Sequence, residues 1–168
     1  MEDEVKIQRS QFATCLNTGT LAAKVYNRIG KGVTGQTVAY NPNVTTEQYI
    51  DEDSATNSVD SYAPNIPTPQ TAYVGNPVFD FVDNIRRTRG IGAKADTTML
   101  MVYVYDEQTE GVYGAEENNC TIQIDDFGGD AGAPTVINYT ILLNGDPKLG
   151  TATINKATKT ATFTPEVA

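Results

Sequence analysis

Thr97-Thr98-Met99-Leu100-Met101-Val102-Tyr103-Val104-Tyr105 is the stretch on which the fold turns. It is an unbroken apolar run, far shorter than the ~20 residues a membrane helix needs. Its length suits a central strand buried on both faces. Downstream, residues 121–124 read as a further strand. In residues 134–143, Val136, Asn138 and Thr140 alternate with Ile137, Tyr139 and Ile141, the period of a strand with two unlike faces. Asn144-Gly145-Asp146-Pro147 has turn chemistry. Residues 151–154 and 160–163 then predict a closing hairpin around residues 155–158.

Upstream of the apolar run the period changes to a helical one, from Pro77 to about Arg89. Asn76 suits the N-cap and Pro77 the first helical position. Val78, Phe79, Phe81, Val82 and Ile85 form one apolar face. Asp80 and Asp83 come early and Arg86, Arg87 and Arg89 late, which complements the helix dipole. Gly90 is expected to end the helix.

Further upstream, residues 45–73 read as a long hairpin. Thr46, Gln48 and Ile50 alternate with Thr45, Glu47 and Tyr49, residues 51–57 make a polar turn, and residues 58–62 begin the return arm. Pro64, Pro67 and Pro69 follow. Proline cannot donate to a central ladder, so this arm is expected at an edge or outside the main sheet. Residues 12–17 predict a first strand, residues 30–35 a loop, and residues 36–40 a second strand. Strands, one helix and more strands define a mainly β (α+β) fold. The expectation is an antiparallel β-sandwich or distorted barrel with one flanking α-helix. Residues 1–168 read as one domain, with flexible arms at 1–8 and 165–168.

The composition narrows function mainly by exclusion. The 168 residues include 21 acids and 12 bases, for a net charge of −9. Such a surface repels a nucleic-acid backbone and does not grip it. The chain has no histidine, which removes Ser-His-Asp and Cys-His catalysis and most zinc sites. Its two cysteines, Cys15 and Cys120, are too few for a disulfide framework, and their apolar contexts predict buried, reduced thiols. The acidic start Met1-Glu2-Asp3-Glu4 is unlike a secretory leader, so folding in a reducing cytoplasm is expected.

Several short motifs have plainer readings than their pattern matches. Gly30-Lys31-Gly32-Val33-Thr34-Gly35 fits G-x-G-x-x-G, yet no parallel β-α-β unit surrounds it. It reads as a loop whose glycines allow close backbone approach. Asp125-Asp126-Phe127-Gly128-Gly129-Asp130 contains D-F-G without the other kinase motifs, and its acids lack the full calcium-loop pattern. A surface turn is expected there. The N-x-T triplets at Asn43, Asn119 and Asn138 reflect β-type composition. Arg86, Arg87 and Arg89 read as solvated helix-end cations in preference to a phosphate site. Asp51, Glu52, Asp53 and Asp60 read as a solvated turn, or as a charged wall or subunit contact. No pair of carboxylates stands out as acid and base, and no metal or cofactor is expected.

Read in order, several of these stretches resemble the major tail (tail tube) proteins of siphovirus-type phages and prophages of Gram-positive bacteria. The carriers are Arg28-Ile29-Gly30-Lys31-Gly32-Val33-Thr34, Tyr40-Asn41-Pro42, Thr45-Thr46-Glu47-Gln48, Asp51-Glu52-Asp53-Ser54-Ala55-Thr56 and Val59-Asp60-Ser61-Tyr62-Ala63-Pro64. Asn76-Pro77-Val78-Phe79, Asp83-Asn84-Ile85-Arg86-Arg87, the run from Gln123 to Gly132, and Asn144-Gly145-Asp146-Pro147 complete the set. The resemblance spans about residues 7–163. Some members carry a C-terminal immunoglobulin-like domain, and none is expected within these residues.

The resemblance implies a structural virion protein, not an enzyme. Copies of the chain would form hexameric rings, stacked into a non-contractile tube that conducts duplex DNA. Tape-measure, tail terminator and distal tail proteins would be its partners. Assembly would occur in the host cytoplasm, with no membrane and no cofactor. Glu47, Asp51 and Asp60 are then the expected lumen acids, and Glu52, Asp53, Tyr62 and Pro64 the expected subunit contacts. Long unpaired strand edges are expected to bond neighbouring copies. The other function classes open at this point are a monomeric carbohydrate-binding or adhesin-type module and, more remotely, a carboxylate hydrolase.

Overall fold

The computed structural model describes residues 3–167. The strands are β1 (Phe12–Asn17), β2 (Tyr26–Arg28), β3 (Pro42–Glu47), β4 (Thr56–Tyr62), β5 (Asn65–Thr71), β6 (Asp96–Thr109), β7 (Val112–Gly128), β8 (Val136–Asn155) and β9 (Thr160–Pro165). One helix, α1 (Pro77–Thr88), lies between β5 and β6. The main sheet runs β5-β8-β7-β6-β1-β2-β9, and β9 pairs again with β8. Six strands therefore close into an antiparallel barrel, and β5 is left as an outer strand on β8. The distorted-barrel expectation is the one realised. β3 and β4 form a separate two-stranded sheet.

β6 explains why the barrel and helix coexist. Leu100 and Val102 point into the barrel, where they meet Ala13, Cys15, Tyr26, Ala115, Ala152 and Ala161. Met99 and Met101 point the other way, into a layer with Leu16, Ile122, Tyr139 and Ile141 beneath α1. Both faces of the strand are buried, as its apolar run requires. The small residues inside the barrel let its walls approach. Gly150 shows the limit: a Cβ there would strike the Thr164 carbonyl and stand 2.8 Å from the Phe163 ring.

The helix forms where its period places it. The Asn76 side chain accepts a hydrogen bond from the Phe79 amide at 3.1 Å, and Val78, Phe79, Val82 and Ile85 are buried. Phe81 is only partly buried. The stop differs by one residue from expectation. Arg89 takes the left-handed conformation (φ 51°), and Gly90 follows it with its amide on the Ile85 carbonyl.

Three other expectations need correction. Residues 36–40 form no strand; only Ala39 bridges, to Asn65. Side-chain bonding explains this. The Gln36 carbonyl accepts from Thr14 Oγ1 at 2.7 Å, and its amide donates to Thr68 Oγ1 at 2.8 Å, pinning the chain as a strap across β1 and β5. The second strand is instead the three-residue β2, too short to show a period. Residues 144–147 are no turn. β8 continues through them, with Gly145 at φ 68°, and the register with β7 shifts between Glu117 and Asn119. The extra residues are absorbed as a bulge because β7 stays paired on both sides of it. Finally, closure removes the free edges expected of a sandwich. What stays open is the outer side of β5 beyond the Ala39 bridge, and the β3–β4 pair.

The proline-rich β5 is an outer strand, as its missing donors demand. The 30–35 loop is tied to it. Thr71 N–H donates to the Gly32 carbonyl at 2.9 Å, and an added Cβ at Gly32 (φ +86°) would stand 2.6 Å from Thr71 O. Gln70 donates to Lys31 O and accepts from Tyr139 Oη, which joins loop, outer strand and β8. Cys15 lies inside the barrel and Cys120 in the helix-side layer, so the sheet separates the two free thiols. Burial pushes both thiols up to about 12. The arms expected at residues 1–2 and 168 lie outside the described residues. Residues 3–8 carry no helix or strand, and the Glu166 amide bonds Leu149 O.

Candidate functional site: an acidic hairpin and two grooves

β3 and β4 stand clear of both apolar layers. Every residue of the two strands is exposed. Their register pairs Thr45 with Ser58 and Glu47 with Thr56. Strand alternation therefore puts Glu47, Thr45, Ser58 and Asp60 on one face, and Val44, Thr46, Asn57 and Val59 on the other. Two side-chain bonds agree with this: Thr45 donates to Asp60, and Thr46 Oγ1 donates to Asn57 Oδ1 at 2.6 Å. One face is thus acidic, and the other carries the exposed Val44–Val59 pair.

The hairpin tip gathers Asp51, Glu52 and Asp53 beside Tyr49 and Ile50, and the Glu52 amide bonds Tyr49 O at 3.1 Å. Tyr49 Oη donates to Glu47 Oε2 at 2.9 Å. No lysine or arginine occurs between Lys31 and Arg86, so no cation offsets Glu47, Asp51, Glu52, Asp53 and Asp60 within the hairpin.

At the hairpin root a groove of about 790 Å³ runs between the arm and the barrel, lined by Tyr40, Asp60, Tyr62, Pro64, Glu116 and Asn118 among others. Tyr40 and Tyr62 meet edge-on, with centroids 6.4 Å apart at 82°. Tyr103 donates its hydroxyl proton to Glu116, and burial with that carboxylate keeps the phenol protonated far into the alkaline range. Asn118 Nδ2 is buried without a hydrogen-bond partner among the described residues.

The expected residues thus separate into two groups. Asp51, Glu52 and Asp53 share the tip, while Asp60, Tyr62 and Pro64 share the root. Glu47 ends β3 on the same face as Asp60.

Sequence reasoning missed a second surface at the far end of β5. Arg28, Lys31, Lys156 and Lys159 line a groove of about 690 Å³ with Tyr73 and Val74, and no acid lines it. Lys31 Nζ lies 4.8 Å from the Tyr73 ring centroid. Among the described residues none of the four cations is in an ion pair. The signal available was Lys156 and Lys159 flanking a hairpin turn. Nothing local says that the turn lands beside Lys31.

The remaining charged motifs are internally satisfied. Arg86 and Arg87 both pair with the buried Asp83 carboxylate, at 2.6 and 2.8 Å. Arg86 also lies over the Phe127 ring at 3.9 Å. Asp125 and Asp126 accept from Thr140 Oγ1 and Asn138 Nδ2. The buried Glu117 accepts from Tyr26 Oη at 2.5 Å and pairs with Lys24 at 3.1 Å. Among the described residues no group of three His, Cys, Asp or Glu side chains is placed to hold a metal ion.

No protein-family model matches the chain, and no curated protein matches it in sequence. Solved structures do. A chain from the tail of an empty GTA particle, refined with C6 symmetry, superposes with a TM-score of 0.61 at 7% identity, over 84% of this chain and 97% of that one. A chain from the six-fold symmetrised baseplate of the anti-feeding prophage gives a TM-score of 0.46 at 11% identity, over 89% and 97%. At such identity the first likeness defines the fold: this is the helix-flanked β-barrel of that tail chain.

Proposed function

We propose that the protein is a structural, non-enzymatic tail tube subunit of a siphovirus-type phage or prophage. Six copies form a ring, and rings stack into the conduit for duplex DNA. The observation that carries this reading is the β3–β4 arm. A two-stranded hairpin with no buried face is marginal by itself in water. It gains its missing contacts when a second copy covers it. The fold shared with a chain from a C6-symmetric tail supports the six-fold arrangement.

The charge supports passage of DNA. Six copies at −9 each carry −54. Duplex DNA has one negative charge per ~1.7 Å of axis, so an acidic wall repels it and lets it slide. Of the expected lumen acids Glu47, Asp51 and Asp60, Glu47 and Asp60 share one face of the arm and are the proposed lumen acids, while Asp51 lies at the tip with Glu52 and Asp53 and is proposed, with them, as a neighbour contact. Tyr62 and Pro64, at the root, are proposed neighbour contacts. Tape-measure, terminator and distal tail proteins are the proposed partners at the tube axis and ends. Assembly in the cytoplasm of a Gram-positive host fits two free, buried thiols. The binding-module alternative gains nothing from the tyrosines, because Tyr40 and Tyr62 meet edge-on and present no flat platform.

Negative-stain microscopy of the concentrated protein tests the proposal. Hollow tubes or six-membered rings are expected. A stable monomer at every concentration and salt tried overturns it.

A further inference from the structure

The two unlike surfaces described above lie at opposite ends of one strand. The acidic hairpin leaves the barrel at the Asn65 end of β5, where Ala39 and Asn65 bridge. The basic groove begins just past the Thr71 end, at Tyr73 and Val74. A seven-residue strand separates them, about 20 Å at ~3.3 Å per residue. Residues 48–55 at the tip are all exposed, so the tip is not packed in its own groove.

We infer that the tip of the hairpin, Tyr49 to Asp53, docks into the Arg28–Lys31–Lys156–Lys159 groove of a second copy of this chain. The inference rests on the self-assembly reading above and names its contact.

Three observations carry it. The charges are complementary, and neither side is neutralised at home: three tip acids have no cation within their hairpin, and four groove cations have no ion pair among the described residues. Both surfaces also expose apolar side chains, Ile50 and Tyr49 on the tip and the 99% exposed Val74 in the groove. Docking would bury these together and strengthen the ion pairs by excluding water. Finally, the arm and the groove adjoin opposite ends of β5, which suits a head-to-tail contact. Used once per copy, such a heterologous contact leaves a free tip and a free groove and so propagates from copy to copy. The groove stays in place because Gln70 and Thr71 tie the 30–35 loop to β5.

The test mixes two full-length variants, Ile50→Cys and Val74→Cys, and adds a short thiol cross-linker under conditions that favour tubes. The native Cys15 and Cys120 are buried and do not compete. A cross-linked heterodimer is expected, with neither variant cross-linking alone. Asp51→Lys/Glu52→Lys/Asp53→Lys added to the first variant abolishes it. So does Lys31→Glu/Lys156→Glu/Lys159→Glu added to the second, and using both reversals together restores it. Circular dichroism matching the parent verifies that each variant folds.

Tubes without a 50–74 cross-link, or a cross-link indifferent to charge reversal, overturn the docking and leave the tube standing. A charge-dependent cross-link without rings or tubes keeps the docking and overturns the tube. Absence of both overturns both.

Discussion

The barrel and the β3–β4 arm are built from similar strand-forming residues, yet they meet opposite fates. In the barrel, Leu100, Val102 and Ala152 alternate against a closed interior, and Met99 and Met101 fill the layer under α1. In the arm, Val44 and Val59 face each other across the ladder and remain about half exposed. The barrel buries its apolar side chains within one chain. The arm has a ladder, a few side-chain hydrogen bonds and no core. The difference teaches where to look for function: the barrel holds the subunit together, and the arm is the part whose side chains find no core in a single copy.

The sharpest way to break this comparison is to excise residues 44–60 and join the root with an Asn-Gly turn. Tube formation is expected to vanish while the urea midpoint of the monomer stays in place. A barrel that unfolds with the excision would show that the arm supports the core after all. Next in size is Leu100→Ala. It opens a cavity inside the barrel and is expected to cost about 2–5 kcal/mol in urea unfolding. Gly150→Ala probes closure itself: its Cβ meets the Thr164 carbonyl and the Phe163 ring, and a loss of about 1–3 kcal/mol is expected from overpacking.

The buried thiols sharpen the contrast by pH. Cys15 and Cys120 are each raised from 9.0 to about 12 by burial, so the folded state holds protons that the unfolded chain releases. Their contribution is fully present below pH 9 and declines as pH rises from 9 to 12. The unfolding midpoint should therefore fall in that window, and less steeply in Cys15→Ala than in the parent. The smallest effect belongs to the arm. Val59→Ala should shift monomer stability by less than about 0.5 kcal/mol, the range of an exposed site. A larger loss would show that the Val44–Val59 face is covered within the monomer.

Much of this was legible along the chain. The helix from Pro77, the hairpin with its turn after residue 50, the edge position of Pro67 and Pro69, and the doubly buried β6 all follow from short-range pattern. Of the candidate site, the acidic tip was visible because its residues are neighbours in sequence. The basic groove was not, because Lys31 and Lys156 are far apart in the chain and meet only when β2 pairs with β9. The strap at Gln36 was misread as a strand for a similar reason. Its amide is claimed by Thr14 and Thr68, two residues distant in sequence that only the folded sheet brings together.

What the sequence determined by itself is α1, the doubly buried β6, the acidity of the arm and the lack of histidine chemistry, since each is a property of adjacent residues or of the totals. Whether the strands stay open or close was decided by tertiary structure: β8 bulges at Gly145, keeps β7 throughout, and so delivers its second half to β9. Closure depends on register summed around six strands, and no local window of sequence contains that sum.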